Sequence, residues 1–142
     1  MIISLLSGKT TMIVKKILLL GAGGFVGSNL RYWLTIWAVQ MFGTYYPVGT
    51  FIVNISGSLM LGLLTGIGTE SAFLSVEMRL LIGTGMLGAL TTFSTFSVET
   101  LHLFESGRLV SAGANLLLNV IIGFSAAWAG LQMAGGLPFS IE

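Results

Sequence analysis

Four long apolar stretches, separated by short polar or aromatic loops, dominate the hydropathy pattern of this 142-residue chain. Each stretch reaches the length of about 20 residues that a helix needs to cross a bilayer. The predicted spans cover residues 17–37, 48–67, 80–104 and 109–133. They lie in a predicted membrane domain (15–135), between an N-terminal extension (1–14) and a C-terminal tail (136–142). The pattern thus predicts an all-α, multi-pass protein of the cell (inner) membrane.

Aromatic and basic residues mark the ends of these spans. Tryptophan and tyrosine favour the interfaces of a bilayer, and here they flank the first loop as Trp33, Trp37, Tyr45 and Tyr46. Four spans place both termini on one side, whose basic residues are Lys9, Lys15, Lys16 and Arg79. Because Arg31 and Arg108 fall on the other side, the Lys and Arg bias that sets topology is small. Both orientations are allowed, which fits an antiparallel dimer and also a simple protein with its N-terminus inside.

The composition agrees with a lipid environment and excludes several functions. Hydrophobic residues make up 54% of the chain and charged residues 8%, whereas soluble domains carry about 25% charged residues. The net charge of +1, without a basic patch, argues against a nucleic-acid partner. Cysteine and aspartate are absent and there is one histidine. The sequence therefore predicts neither a metal centre built from side chains nor an enzyme.

Two glycine pairs in the first and second spans predict close helix packing. Gly23 and Gly27, and likewise Gly62 and Gly66, have the spacing at which small residues let helix backbones approach in lipid.

Hydroxyl side chains crowd the middle of the third span, where polar groups are costly. They follow Gly88 as Thr91, Thr92, Ser94, Thr95 and Ser97. Glycine followed by clustered hydroxyls predicts that the helix breaks here. Unwound backbone in a membrane needs protein, water or an ion to satisfy it, and its free carbonyls suit a cation. Beyond the break, Phe93 and Phe96 are predicted to share one helix face.

Other polar residues lie within the remaining spans: Arg31, Asn54, Asn115 and Asn119. One interpretation is that they hydrogen-bond neighbouring helices without further function. The other is a solute pathway, and its donors are amides, hydroxyls and the positive edges of phenyl rings. Glu99 is the only acidic residue inside the predicted spans, whereas a cation pathway usually carries several carboxylates. The donors therefore favour a small anion, without choosing between fluoride and chloride.

Residues 88–99 of the third span resemble the signature of the Fluc (CrcB-type) fluoride channels. Residues 24–32, 49–57 and 119–123 resemble the same family, so that the similarity covers about residues 15–131. The resemblance implies an antiparallel, dual-topology homodimer whose third helix breaks mid-membrane. It also implies two narrow pores through which fluoride leaves the cell passively, which relieves fluoride toxicity.

The resemblance further implies roles for single residues. Phe93 and Phe96 would present ring edges to fluoride, and Asn54 would donate from its amide. Candidates for the polar track of the pore would be Thr92, Ser94, Thr95 and Ser97, and Asn119 would be a further pore residue. Arg31 would lie near the aqueous vestibule and Glu99 near one pore end. Backbone carbonyls at Gly88 and Thr91, from both subunits, would hold a buried structural sodium.

Two other classes remain as alternatives. Small multidrug transporters also have four spans, but they use a glutamate deep in the first span, and residues 17–37 contain no Glu or Asp. A membrane scaffold without transport predicts no ion flux, and it predicts that Phe93→Ile and Asn54→Ala are tolerated.

Overall fold

Four helical regions long and apolar enough to cross a membrane make up the structure, a computed structural model. It describes residues 2–70 and 74–135, with side chains for residues 10–67 and 74–135, and it contains no strand within these ranges. The predicted C-terminal tail (136–142) lies outside the described residues. The spans are Thr10–Phe42, Val48–Ile67, Val76–Glu105 and Leu109–Met133, which confirms the predicted number of spans.

The first helix, α1, is longer than predicted and runs from Ile2 to Phe42. No proline separates the predicted extension from the span, and the single Gly8 is tolerated in a helix at a cost of about 1 kcal/mol. From Ile2 onward, the residues of the predicted extension therefore form the first turns of α1. The helix ends at Gly43, which has a φ of +75°. This left-handed conformation terminates helices, and glycine adopts it at little cost.

The second helix, α2, comprises Val48–Glu70, and the last, α5, comprises Leu109–Met133. Pro47 lies immediately before α2, and its carbonyl accepts a hydrogen bond from Phe51. At the other end of the bundle, Gly107 has a φ of +73° and reverses the chain into α5. Both spans start where they were predicted to start.

The third span contains two helices joined by extended backbone. The helix α3 covers residues 76–90 as three consecutive segments, Val76–Met78, the π-helical Arg79–Leu87 and Gly88–Leu90. Thr91 (φ −78°, ψ 156°) and Thr92 (φ −152°, ψ 117°) are extended. The helix α4 then covers Phe93–Glu105. The backbone thus leaves the helical conformation within the hydroxyl-rich segment.

Glycines let the helices approach closely. A Cβ at Gly23 or Gly27 of α1 would collide with the α3 backbone at Leu81 or Met86, and one at Gly62 of α2 would collide with Ala127 of α5. α1 consequently packs mainly against α3, and α2 against α5. The predicted role of these glycines in helix packing is confirmed.

The buried centre of the bundle lies beside the interrupted segment. Val53 of α2 packs against Leu87 and Leu90 of α3, and each of the three side chains is at most 2% exposed. Leu34, Leu64, Ile82 and Met86 surround them. Because this cluster fixes the end of α3 against α2, the extended residues that follow lie next to the polar face of α2.

Candidate functional site

Asn54 of α2 holds the extended segment between α3 and α4. Its Oδ1 accepts a hydrogen bond from the backbone N–H of Thr92 at 2.8 Å, and its Nδ2 donates to the Thr92 carbonyl at 3.2 Å. In a continuous helix the Thr92 N–H would bond to the carbonyl of Gly88. The side chain of Asn54 therefore replaces the helix as the partner of the interrupted backbone.

Thr92 also begins the next helix. Its Oγ1 accepts a hydrogen bond from the backbone N–H of Thr95 at 3.2 Å, and its hydroxyl donates to Thr95 Oγ1 at 3.0 Å. Threonine with extended backbone is a favoured N-cap because its oxygen satisfies an amide of the first turn. Ser94 Oγ lies 3.4 Å from Thr92 Oγ1. The hydroxyls of this segment thus explain how α4 restarts so soon after α3 ends.

The two phenylalanines at the start of α4 are in contact but differ in exposure. The ring centroids of Phe93 and Phe96 are 5.7 Å apart, with an angle of 60° between the planes. Phe96 is 5% exposed, whereas Phe93 is 78% exposed. Because the positive edge of a phenyl ring attracts negative charge, these rings offer an anion a site that carries no fixed charge.

A groove of about 470 Å³ brings many of the predicted site residues together. The predicted site residues that line it are Asn54, Thr91, Thr92, Phe93, Phe96 and Asn119. The rest of the lining is mostly apolar and comes from α2 and α5, including Leu61 and Phe124. The second, third and fourth spans thus each contribute predicted polar residues to this groove, namely Asn54, Thr91, Thr92 and Asn119.

Other predicted residues lie away from this groove. Ser97 donates back to the Phe93 carbonyl of its own helix at 2.8 Å. Ser94 and Thr95 are exposed at the first turn of α4 and do not line the groove. Arg31 is half-buried, and its guanidinium lies 3.4 Å from the carbonyl of Thr91. Of the four residues of the predicted polar track, Thr92 alone lines the groove, where the predicted pore residue Asn119 joins it.

Glu99 lines a second cavity of about 230 Å³, together with His102 and Arg108. One carboxylate oxygen accepts a hydrogen bond from Thr50 at 2.8 Å, and the other is buried without a hydrogen-bond partner among the described residues. The guanidinium of Arg108 lies 3.6 Å from the centroid of the Tyr45 ring. Burial raises the pKa of Tyr46, which also lines this cavity.

Two residues outside the predicted site contact it. Thr50 donates a hydrogen bond to Glu99. The sequence could have indicated this residue, because Thr50 lies one turn before Asn54 on the same helix face. Asn115 is fully buried; it accepts from the amide of Asn119 and donates to Thr100 Oγ1 at 2.8 Å. Its spacing of four residues from Asn119 indicated a shared face. Residues 10–67 and 74–135 hold no cluster of three or more His, Cys, Asp or Glu side chains.

The fold and the composition of the groove define a multi-pass membrane protein with polar groups among its spans. Comparison with known sequences assigns its family: the profile described as "CrcB-like protein, Camphor Resistance (CrcB)" matches residues 18–131. The chain therefore belongs to the CrcB family, and the resemblance drawn from the sequence is confirmed.

Curated relatives cover most of the chain. A protein of Shewanella amazonensis, named "Fluoride-specific ion channel FluC", is 46% identical over 84% of this chain and 96% of its own length. Proteins with the same name from Oceanobacillus iheyensis (41% identity, covering 85% of this chain and 92% of the relative) and Shewanella pealeana (43%, covering 84% and 96%) are also similar.

Proposed function

We propose that this protein is a fluoride-selective channel that exports fluoride passively across the cell membrane and so relieves fluoride toxicity. The observation that carries the proposal is the groove in which the Asn54 amide and the Phe93 and Phe96 rings meet beside interrupted backbone. Membership of the CrcB family and relatives named as fluoride-specific ion channels support it. An ion channel is not an enzyme, in agreement with the sequence, which offers no nucleophile–base pair.

The groove suits an anion that has lost most of its water. Amide and hydroxyl groups with ring edges compensate for lost hydration, while the absence of a lysine or arginine among the described lining residues keeps binding weak. Conduction needs binding that is favourable enough for entry and weak enough for release. Arg31 contacts the Thr91 carbonyl from outside the groove and raises the local anion concentration without itself being a ligand.

The channel is proposed to be an antiparallel, dual-topology homodimer with two pores. Helices from one chain supply one side of the groove, and Phe93 at its edge is 78% exposed. A second copy would complete the wall around it. The extended residues Thr91 and Thr92 lie halfway along the third span, Val76–Glu105, which supports a break near the middle of the membrane. The small Lys and Arg bias supports insertion in both orientations.

A structural sodium at the centre of the dimer is also proposed, held by the backbone carbonyls of Gly88 and Thr91. Asn54 takes the Thr92 N–H that would otherwise bond to the Gly88 carbonyl, so this oxygen is available to a cation. Gly88 is exposed on the bundle, where a second subunit could approach. Hard cations prefer several oxygen ligands. The Thr91 carbonyl also accepts a hydrogen bond from the Arg31 guanidinium at 3.4 Å, so sodium would share or displace that contact. Two carbonyls from one chain need two more from a second copy, and the site is therefore proposed only for a dimer.

Fluoride efflux from proteoliposomes, recorded with a fluoride electrode and compared with chloride efflux, tests the proposal. Fluoride should leave rapidly and chloride should stay. Replacing sodium by N-methylglucamine throughout purification should weaken the dimer or stop conduction. Equal efflux of both anions would contradict selectivity, and full activity in the strict absence of sodium would contradict the cation site.

A further inference from the structure

A chain of hydrogen-bonded side chains leads from the groove into the interior between α2, α4 and α5. Asn54 Nδ2 donates to Asn119 Oδ1 at 3.1 Å, and Asn119 Nδ2 donates to Asn115 Oδ1 at 3.0 Å. Asn115 Nδ2 then donates to Thr100 Oγ1 at 2.8 Å. We name these four residues the amide ladder. Asn119 is 8% exposed and Asn115 is 0% exposed, so the ladder passes from the groove wall into the protein interior.

The direction of the amide ladder follows from one backbone group. The N–H of Thr92 can only donate, so Asn54 must turn its oxygen towards Thr92 and its NH₂ towards Asn119. Asn119 must then present its oxygen to Asn54 and its NH₂ to Asn115. At the far end, Thr100 accepts from Asn115 and donates to the Phe96 carbonyl at 2.8 Å. Flipping any one amide would therefore oppose two donors or two acceptors.

This arrangement uses both N–H bonds of the Asn54 side chain. One points to the Thr92 carbonyl at 3.2 Å and the other to Asn119 Oδ1 at 3.1 Å. An amide NH₂ group has two hydrogens to donate. An anion in the groove can thus receive a hydrogen bond from Asn54 only by displacing one of these oxygens. The Asn119 oxygen is the one that can move, because the Thr92 carbonyl belongs to the backbone that Asn54 holds.

We propose that Asn119 is a specificity-determining residue whose amide oxygen competes with the permeating anion for an N–H of Asn54. Asn115 and Thr100 are positioning residues that keep this oxygen in place. Hydrogen bonds to an ionised acceptor are roughly twice as strong as those between neutral groups. Fluoride, with its charge on a small ion, displaces the amide oxygen, whereas the larger chloride is a weaker acceptor and displaces it poorly. The inference rests on the proposed function.

Asn119→Leu tests this competition, since leucine has a similar volume and removes the acceptor while Asn54 stays. The measurement is the reversal potential between fluoride and chloride in planar bilayers, together with the fluoride efflux rate. We expect the chloride permeability relative to fluoride to rise by about fivefold, which corresponds to one neutral hydrogen bond. The fluoride efflux rate is recorded alongside, and the reversal potential decides the test because it reports the ratio of the two permeabilities and not their absolute size.

Two controls separate this role from folding. Ser125→Ala removes a hydroxyl from the same helix outside the groove, where it bonds to the Ile121 carbonyl, and should leave both permeabilities unchanged. Asn119→Gln, which retains an amide oxygen, should restore part of the selectivity. If Asn119→Leu fails to fold, the nearly isosteric Thr100→Val variant takes its place as the test. It removes the anchor of Asn115 and should raise the relative chloride permeability by about twofold, in the same direction.

Selectivity that is unchanged in a folded Asn119→Leu variant, or in Thr100→Val if only that variant folds, would overturn the inference. An equal loss of fluoride and chloride conduction would do the same, because Asn119 would then serve conduction in general. The proposed function is judged separately on the wild-type protein. If that protein does not prefer fluoride, both proposals fall; if it does and the variants match it, only the inference falls.

Discussion

The groove beside Asn54 and the cavity beside Glu99 lie on the same helix, α4, yet they differ in their charges. Among its described lining residues the groove has amides, hydroxyls, phenyl rings and apolar side chains, and no Lys, Arg, Asp or Glu. The cavity is lined by Glu99, His102 and Arg108. Glu99 keeps one buried oxygen without a hydrogen-bond partner among the described residues, whereas both N–H bonds and the oxygen of Asn54 are engaged.

This difference separates two tasks of a channel. Fixed charges act over long distances and change how often ions arrive, with little regard to which monovalent anion arrives. Dipoles and hydrogen-bond donors act at contact, where the size and acceptor strength of the ion decide the energy. We therefore expect substitutions in the groove to change selectivity and conduction. Substitutions of charged residues at the cavity should change mainly the rate of arrival.

The largest effect is expected for Asn54→Leu. This change leaves the Thr92 N–H and carbonyl without their partner, and each unsatisfied buried group costs about 1–3 kcal/mol. Fluoride efflux should be abolished and the thermal unfolding temperature should fall. The matched control is Asn29→Ala, which removes an exposed amide that donates to the Phe25 carbonyl within α1. Efflux at the wild-type rate from the Asn54→Leu variant would show that the groove does not depend on the two hydrogen bonds between Asn54 and Thr92.

A smaller but still large effect is expected for Phe96→Ile. The ring is 5% exposed, and isoleucine keeps an apolar side chain there but offers an anion no positive edge. Fluoride efflux should fall by about tenfold, the factor of a 1.4 kcal/mol change, while the proposed dimer elutes unchanged in size-exclusion chromatography. Phe104→Ile, at an exposed ring on the same helix, is the control. Unchanged efflux in Phe96→Ile would argue against the ring-edge role.

Arg108→Gln should alter the fluoride efflux rate without altering the preference for fluoride over chloride. Removing this positive charge lowers the local anion concentration, so fluoride efflux should fall by about threefold at low ionic strength. The loss should largely vanish in 1 M salt, where the screening length is about 3 Å. Lys16→Gln, at an exposed site on α1, serves as the comparison. A change in the fluoride-to-chloride ratio in Arg108→Gln would contradict the proposed division between groove and cavity.

The smallest effect is expected for Ser97→Ala. The hydroxyl of Ser97 bonds to the carbonyl of Phe93 on its own helix and does not line the groove. Fluoride efflux should therefore stay within about twofold of the wild-type rate, since such a bond within a helix contributes little. Thr92→Val, which removes the cap of α4, gives the contrast and should impair efflux strongly. A severe loss in Ser97→Ala would place the pathway along another face of α4.

The spans could be predicted from the sequence because each physical requirement leaves a local pattern. A run of about 20 apolar residues identifies a span, and residues 109–133 match α5 at both ends. The helix α1 extends beyond the predicted first span at both ends, since hydropathy finds the apolar part of a helix and not the point where hydrogen bonding stops. The π-helical turns of Arg79–Leu87 were not predicted, because they depend on how α3 fits against Gly23 of α1.

The members of the site could be named, but their partners could not. Polar residues at membrane depth are conspicuous, and Asn54, Thr92 and Asn119 do meet in one groove. Which hydroxyls face it depends on the rotation of α4 after the extended segment and on the side-chain rotamers. The Ser97 hydroxyl bonds to the Phe93 carbonyl of its own helix instead. Asn115 could not be assigned a role from the sequence, because its role depends on the geometry that links it to Asn119 and Thr100.

The length of α1 has a consequence for detecting orientation. Its 41 residues give a rod of about 60 Å, roughly twice the thickness of the hydrocarbon layer. With Trp33 and Trp37 near one interface, the opposite end would project well beyond the lipid. In the proposed antiparallel pair, one such rod would stand out from each surface of the membrane. A protease or antibody applied from a single side would then reach half of the N-termini, and the other half only after permeabilisation.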